Sequence, residues 1–174
     1  MNNSVLKAIH ERRSCRKYKP EQITDEELHT VLEAGTYAPT GMGRQDPYIV
    51  AIQQKEMKEQ IIRMNAEVMG SPTNPFYEAP TLILVFGPTN WKNHIQDGSL
   101  VLGTMMLAAH SIGLASCWIN REIEMFQTAQ GKTLMKQMGL PEGIGGIGAL
   151  ALGYPAAPAP QAKPRKEDYF RIIK

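Results

Sequence analysis

The chain has 174 residues, 43% of them hydrophobic and 21% charged, enough apolar material for the core of one domain. A formal net charge of +2 is too small to drive binding to a long nucleic acid through counterion release. The most apolar segment, around Leu100 to Ala109, falls well short of the roughly 20 residues that cross a bilayer, and Met1-Asn2-Asn3-Ser4 passes straight into an amphipathic pattern, so no signal peptide is expected. The expectation is a single domain over 1–174 in the cytoplasm, with no nucleic-acid or membrane partner. Cys15 and Cys117 lack CxxC or zinc-ligand spacing and read as reduced thiols. His10, His29, His94 and His110 form no pair at helical ligand spacing, so no metal is expected.

Taken in chain order, Asn3 or Ser4 caps a first helix with Val5, Leu6 and Ile9 on one face. Thr24 with Glu27 is a capping box, and Leu28, Val31 and Leu32 stripe a second helix to about Gly35. Residues 38–45 form a loop by their Pro and Gly content, and Tyr48 to Ile52 is a short buried strand. A third helix runs from Lys55 to Met69 with Met57, Ile61, Met64 and Val68 on one face, and Thr81 to Phe86 is a central strand. Asp97 to Ile112 is apolar nearly all round and reads as a buried central helix stopped by Gly113. Leu114 to Ile119 is a strand, Glu122 to Met138 a helix with a weak point at Gly131, and Ile147 to Leu152 a last strand before an extended tail. Elements without regular βα alternation point to an α+β fold.

Two motifs compete as phosphate sites. Gly143-Ile144-Gly145-Gly146-Ile147-Gly148 has the spacing of dinucleotide-binding glycines, but it follows a helix end and runs into a strand, the reverse of what a pyrophosphate cradle needs. It is assigned to a turn and strand start. In contrast, Arg12, Arg13 and Arg16 supply forked donors that match phosphate oxygens, and Ser14 adds a hydroxyl where a short helix ends. By itself this cluster is also compatible with a solvated basic patch.

Set in order along the chain, Arg12-Arg13-Ser14-Cys15-Arg16-Lys17-Tyr18, Ala38 to Gln45, Leu107 to Leu114, Ser116-Cys117-Trp118-Ile119 and Ala151-Leu152-Gly153-Tyr154-Pro155 resemble the nitroreductase family of flavin mononucleotide (FMN) enzymes. The resemblance implies a central, mostly antiparallel sheet flanked by helices in an interlocked homodimer, with FMN at the subunit interface. It also implies that Arg12, Arg13, Ser14 and Arg16 hold the phosphate and ribityl chain, joined by Lys163 and Arg165 from the tail. By the same resemblance Pro39, Thr40, Gly41, Met42 and Gln45 reach the flavin, partly from the neighbouring subunit, and Trp118, Ile119 and Asn120 lie along the ring. The implied activity passes a hydride from NADH or NADPH through flavin N5 to a nitroaromatic, quinone or similar small aromatic acceptor, with no catalytic side chain. A flavin-storage protein, a reductive dehalogenase and a flavin-consuming enzyme are the alternatives. The chain departs from the family pattern at Gly43, where asparagine is frequent, and at Gln45-Asp46-Pro47-Tyr48. Trp118 and Tyr48 read either as stacking residues or as core.

Overall fold

Every strand of the sheet is flanked by residues that alternate between two apolar cores. In the computed structural model, which describes residues 3–174, strands β1 (Tyr48–Ile52), β2 (Thr81–Pro88), β3 (Ala115–Ile119) and β4 (Ile144–Gly153) form a four-stranded antiparallel sheet in the order β1-β2-β4-β3. Leu82, Leu84 and Phe86 of β2 face one core with Cys117, Ile119, Ala149 and Ala151, whereas Ile83 and Val85 face the other with Leu150 and Leu152. Both faces of β2 are therefore covered, which is why its sequence runs apolar without alternation.

The described residues form six α-helices, α1 (Ser4–Glu11), α2 (Asp25–Thr36), α3 (Lys55–Met69), α4 (His94–Ser111), α5 (Glu122–Gln127) and α6 (Ala129–Gln137), of which α2 to α6 supply the cover. The first core is closed by Ile61 and Met64 of α3, Met125 and Phe126 of α5 and Leu134 of α6, with the Phe86 and Phe126 rings edge to face at 4.8 Å. The second is closed by Val31 of α2 and by Val101, Leu102, Met105 and Ala109 of α4. No helix among the described residues is long and apolar enough to cross a membrane.

The capping box predicted at Thr24 is present, with Glu27 N–H donating to Thr24 Oγ1 and Thr24 N–H donating to Glu27 Oε2. Asn3 caps α1, its Oδ1 accepting from Leu6 N–H. Several expectations need correction. No residue of α1 is buried, and Val5 and Ile9, expected on one face, both stand exposed. On α3 the buried positions are Ile61, Met64 and Asn65, while Val68 is exposed. Helix α4 begins one turn before Asp97, and it is covered on one side only: Leu100 is 47% and Ile112 38% exposed.

The expected single helix from Glu122 to Met138 is two helices. The break is at Thr128, whose hydroxyl donates to Met125 O and accepts from Gly131 N–H, starting α6 afresh. Gly131 instead permits close packing: a Cβ there would lie 2.3 Å from Met125 O.

Strand β4 begins at Ile144, three residues earlier than its apolar run implies, and includes the glycine motif. Val85 pairs with Gly148 and Phe86 with Gly146, so Ile147 is an extra residue in a bulge, its side chain resting against Gly87 and Gly98. The glycines admit neighbours rather than a ligand: a Cβ at Gly146 would meet Glu122 O at 2.5 Å, and one at Gly148 would meet Leu102 and Trp118.

Candidate functional site

After α1 the chain is extended and stitched between β3 and the start of the tail. Ser14 bridges Ser116 in parallel fashion, Cys15 N–H donates to Ser116 O (3.0 Å), and Tyr18 bridges Pro155. Lys19 N–H donates to Tyr154 O and Ala156 N–H to Lys17 O, both close to 3 Å. The Tyr18 hydroxyl, donating toward Cys15 O and Ala151 O, is buried and its pKa is pushed up by that burial. The arginine cluster thus sits on a strand-like segment fixed at both ends.

That segment walls a cavity of about 430 Å³ lined by Arg12, Arg13, Ser14, Cys15, Arg16 and Lys17, by His110, Gly113 and Leu114 at the end of α4, by Ala115 and Ser116 of β3, and by Pro155 and Ala157 to Pro160 of the tail. Four of the expected phosphate ligands, Arg12, Arg13, Ser14 and Arg16, are brought together there. Arg13 Nη1 donates to His10 O (2.6 Å) and Arg12 O (2.7 Å), closing the C-terminal end of α1. Arg12 Nη1 and Arg13 Nε are out of contact with water and have no hydrogen-bond partner among the described residues. Leaving such charged donors unpaired is costly. Arg16 is exposed, its Nε donating to the Tyr77 hydroxyl at 3.3 Å with the guanidinium 5.8 Å from the Tyr77 ring centre. That hydrogen bond is the main reason its pKa is raised.

Lys163 and Arg165 lie in the exposed tail and do not line this cavity; within the chain the tail contributes Pro155 and Ala157 to Pro160 instead. Cys117 is buried, and burial raises its thiol pKa, as suits a packing residue.

The 39–45 loop lies elsewhere, over the start of α4. Pro39 is exposed, Thr40 Oγ1 accepts from Gln45 N–H (3.0 Å), and Gly41 N–H donates to Asp97 Oδ1 (2.8 Å). Asp97 Oδ2 accepts from Trp91 Nε1 (2.8 Å), and the Trp91 ring in turn crowds Gly41, where a Cβ would lie 2.9 Å away. The Arg44 guanidinium lies over the Trp91 ring, 4.7 Å from its centre. Met42 (φ 58°), Gly43 (φ 64°) and Gln45 (φ 55°) are left-handed, and Met42 is 89% exposed, projecting away from its own chain.

Trp118, Ile119 and Asn120 continue β3 beyond Ser116, so Asn120 lies ~13 Å along the strand from the arginine cavity. Ile119 is buried, leaving only its backbone for a ligand, while Asn120 is exposed. Trp118 is half-buried against the second core, and its Nε1 has no partner among the described residues. Tyr48 is 43% exposed at the start of the edge strand, which removes the core reading for it.

Some residues around the site carry little sequence signal. Asp97 is a lone acid in an apolar helix, easily mistaken for a helix start, and its role depends on a loop 56 residues away. Tyr77 reaches Arg16 across 61 residues, and its backbone, with that of Glu78, takes left-handed φ values of 55° and 58°. The consecutive left-handed pair is supported by Asn74, which accepts from Phe76 N–H and donates to Glu78 Oε1.

The family model for the nitroreductase family matches residues 9–154, a span that includes the arginine cluster, the 39–45 loop and all four strands. Among solved structures, the nitroreductase with bound FMN from Bacteroides fragilis is 31% identical, with a TM-score of 0.92, covering 99% of this chain and 100% of its own. A nitroreductase with bound FMN from Desulfitobacterium hafniense is 28% identical, covers both chains fully and has a TM-score of 0.89. The FMN reductase [NAD(P)H] of Bacillus subtilis is 26% identical over 177 residues, spanning 88% of this chain and 67% of that protein. A sheet in the order β1-β2-β4-β3, an arginine segment stitched to β3 and a family match over most of the length agree: the chain belongs to the nitroreductase family.

Proposed function

We propose that this protein binds FMN and uses NADH or NADPH to reduce a small aromatic acceptor such as a nitroaromatic or a quinone. The observation that carries the reading is the convergence of Arg12, Arg13, Ser14 and Arg16 on one cavity that Ser116 also lines. An FMN phosphate supplies acceptors for guanidinium and hydroxyl donors gathered in this way. Bound FMN brings hydride and electron-transfer chemistry that no side chain here could perform. The protein's share is to neutralise the phosphate with Arg12, Arg13 and Arg16, to offer the Ser14 hydroxyl to it, and to present the backbone of Trp118 to Asn120 along the ring. In this reading Pro39, Thr40, Gly41, Met42 and Gln45 complete the pocket from a neighbouring subunit, and Lys163 and Arg165 close on the phosphate when the tail is ordered against that subunit.

A second copy of the chain is the partner that fits the exposed apolar surface: Val5 and Ile9 of α1, Leu100 of α4, and Phe170, Ile172 and Ile173 of the tail. The two free thiols suit a reducing cytoplasm.

The test is the visible spectrum of the purified, FMN-supplied protein before and after anaerobic NADH or NADPH. Bound flavin that bleaches on addition of either donor, and recovers with a nitroaromatic or quinone, is the expected result. Bound flavin that never bleaches would make this a flavin-binding protein without reductase activity, and no flavin uptake would refute the reading altogether.

A further inference from the structure

We propose that Glu122, acting through Asn65, is a positioning residue that locks the turn at the end of β3 and with it the Trp118 to Asn120 edge of the flavin site. The role toward flavin rests on the function proposed above; the lock itself stands on geometry. Glu122 and Asn65 are both fully buried. From α3, Asn65 Nδ2 donates to Asn120 O (2.9 Å) and to Glu122 Oε1 (3.1 Å), and Asn65 Oδ1 accepts from Arg121 Nε (2.9 Å). One side chain therefore ties three consecutive residues. The middle one, Arg121, is left-handed at φ 87°, a conformation that a residue with a Cβ keeps only when its surroundings impose it.

Packing alone does not call for a carboxyl at this position, and Glu122 Oε2 has no partner among the described residues. Burial moves its pKa from the ordinary 4.5 up to about 8, so the group carries a proton at neutral pH. The charged groups facing it are Arg121, from the turn, which lowers the pKa, and Glu124, on its own helix, which raises it. From the other elements packed on it, α3 presents Asn65 and β4 the backbone of Gly146, neither of which titrates.

A proton held when the turn is closed and released when it opens makes opening pH-dependent. The folded pKa is raised, so the protonated form favours the closed turn fully below about 4.5 and loses that advantage as pH rises to about 8.

The test is amide exchange of Ile119 to Arg121 in flavin-free protein, wild type against Glu122→Gln, which keeps the acceptor for Asn65 but cannot ionise. The ratio of wild-type to variant exchange should rise about 100-fold between pH 5.5 and pH 7.5, tenfold per unit for one proton released. A ratio that stays flat overturns the proposal. Should Glu122→Gln fail to fold, the same rise in wild type alone, measured against the amides of α2, replaces it. In a parallel series, bound FMN should slow exchange of the same amides, because the closed turn is the form that meets the ring edge. A rising exchange ratio with exchange of Ile119 to Arg121 unchanged by bound FMN would overturn the role toward the flavin edge. Absence of FMN uptake by wild type would instead refute the flavin reading, with the exchange ratio still deciding the hold on the turn.

Discussion

Replacing Gly146 with alanine tests whether the glycine-rich start of β4 exists for packing. The new Cβ would lie 2.5 Å from Glu122 O, 2.9 Å from Glu122 C and 2.7 Å from Phe126 Cδ2, about 0.9 Å short of the 3.4 Å at which ordinary contact begins. Two of those atoms are backbone at the first turn of α5, which is held by the buried Met125 and Phe126, so the helix must shift as a body. Overpacking of this kind costs about 1–3 kcal/mol, partly offset by ~0.5 kcal/mol from the stiffer unfolded chain. A net loss of about 2 kcal/mol corresponds to a fall in Tm of ~4–8 °C for a chain of this size. Gly145→Ala is the internal control: its Cβ meets only Thr89 Cγ2, at 2.8 Å, on an exposed side chain that can rotate away. Calorimetry or a thermal melt should therefore separate the neighbours, with Gly145→Ala changing Tm by less than about 2 °C. Equal Tm values, with FMN affinity lost in Gly146→Ala, would refute the packing account and return the motif to a nucleotide-binding role.

Arg12→Ala should weaken FMN binding by about 1.5–3 kcal/mol, roughly 10- to 150-fold in a fluorescence titration, and by more than the exposed Arg16→Ala; unchanged affinity would remove the phosphate assignment. Asp97→Ala strands the Gly41 and Trp91 donors and should cost ~2–4 kcal/mol in denaturant unfolding. It should also speed tryptic cleavage after Arg44, and an unaltered cleavage rate would mean the loop is held by other contacts. Glu27 accepts from the Tyr154 hydroxyl at 2.6 Å and from Thr24, which lowers its pKa below the ordinary 4.5. Its contribution is present above that value and disappears as pH falls through the lower folded one, so Tyr154→Phe should flatten the decline of Tm between pH 5 and pH 3. An identical acid profile would discard that linkage.

Much of this architecture is legible in the sequence wherever one local rule decides. The Thr24 capping box, the Lys55–Met69 helix with its Gly70 stop, and strands at Tyr48–Ile52 and Thr81 onward all lie where spacing and punctuation put them. The order of the glycines relative to helix and strand was enough to reject a dinucleotide cradle. Thr128, by contrast, breaks a helix that periodicity runs straight through, because a hydroxyl serving both Met125 O and Gly131 N–H matters only once α6 folds back on α5. For the same reason Leu100, in a helix that reads as buried all round, remains uncovered, since an apolar stripe says that something is buried and not what buries it.

The α+β class, the family and the arginine segment are written in local chemistry, in forked donors at a helix end and motifs in a fixed order. It takes the folded chain to show that Arg12 and Arg13 keep donors with no partner among the described residues, that Asp97 fastens the 39–45 loop, and that Asn65 and Glu122 grip the end of β3. Those partners are separated by 55 to 57 residues, and no propensity or spacing encodes which buried polar groups the packed helices will bring face to face.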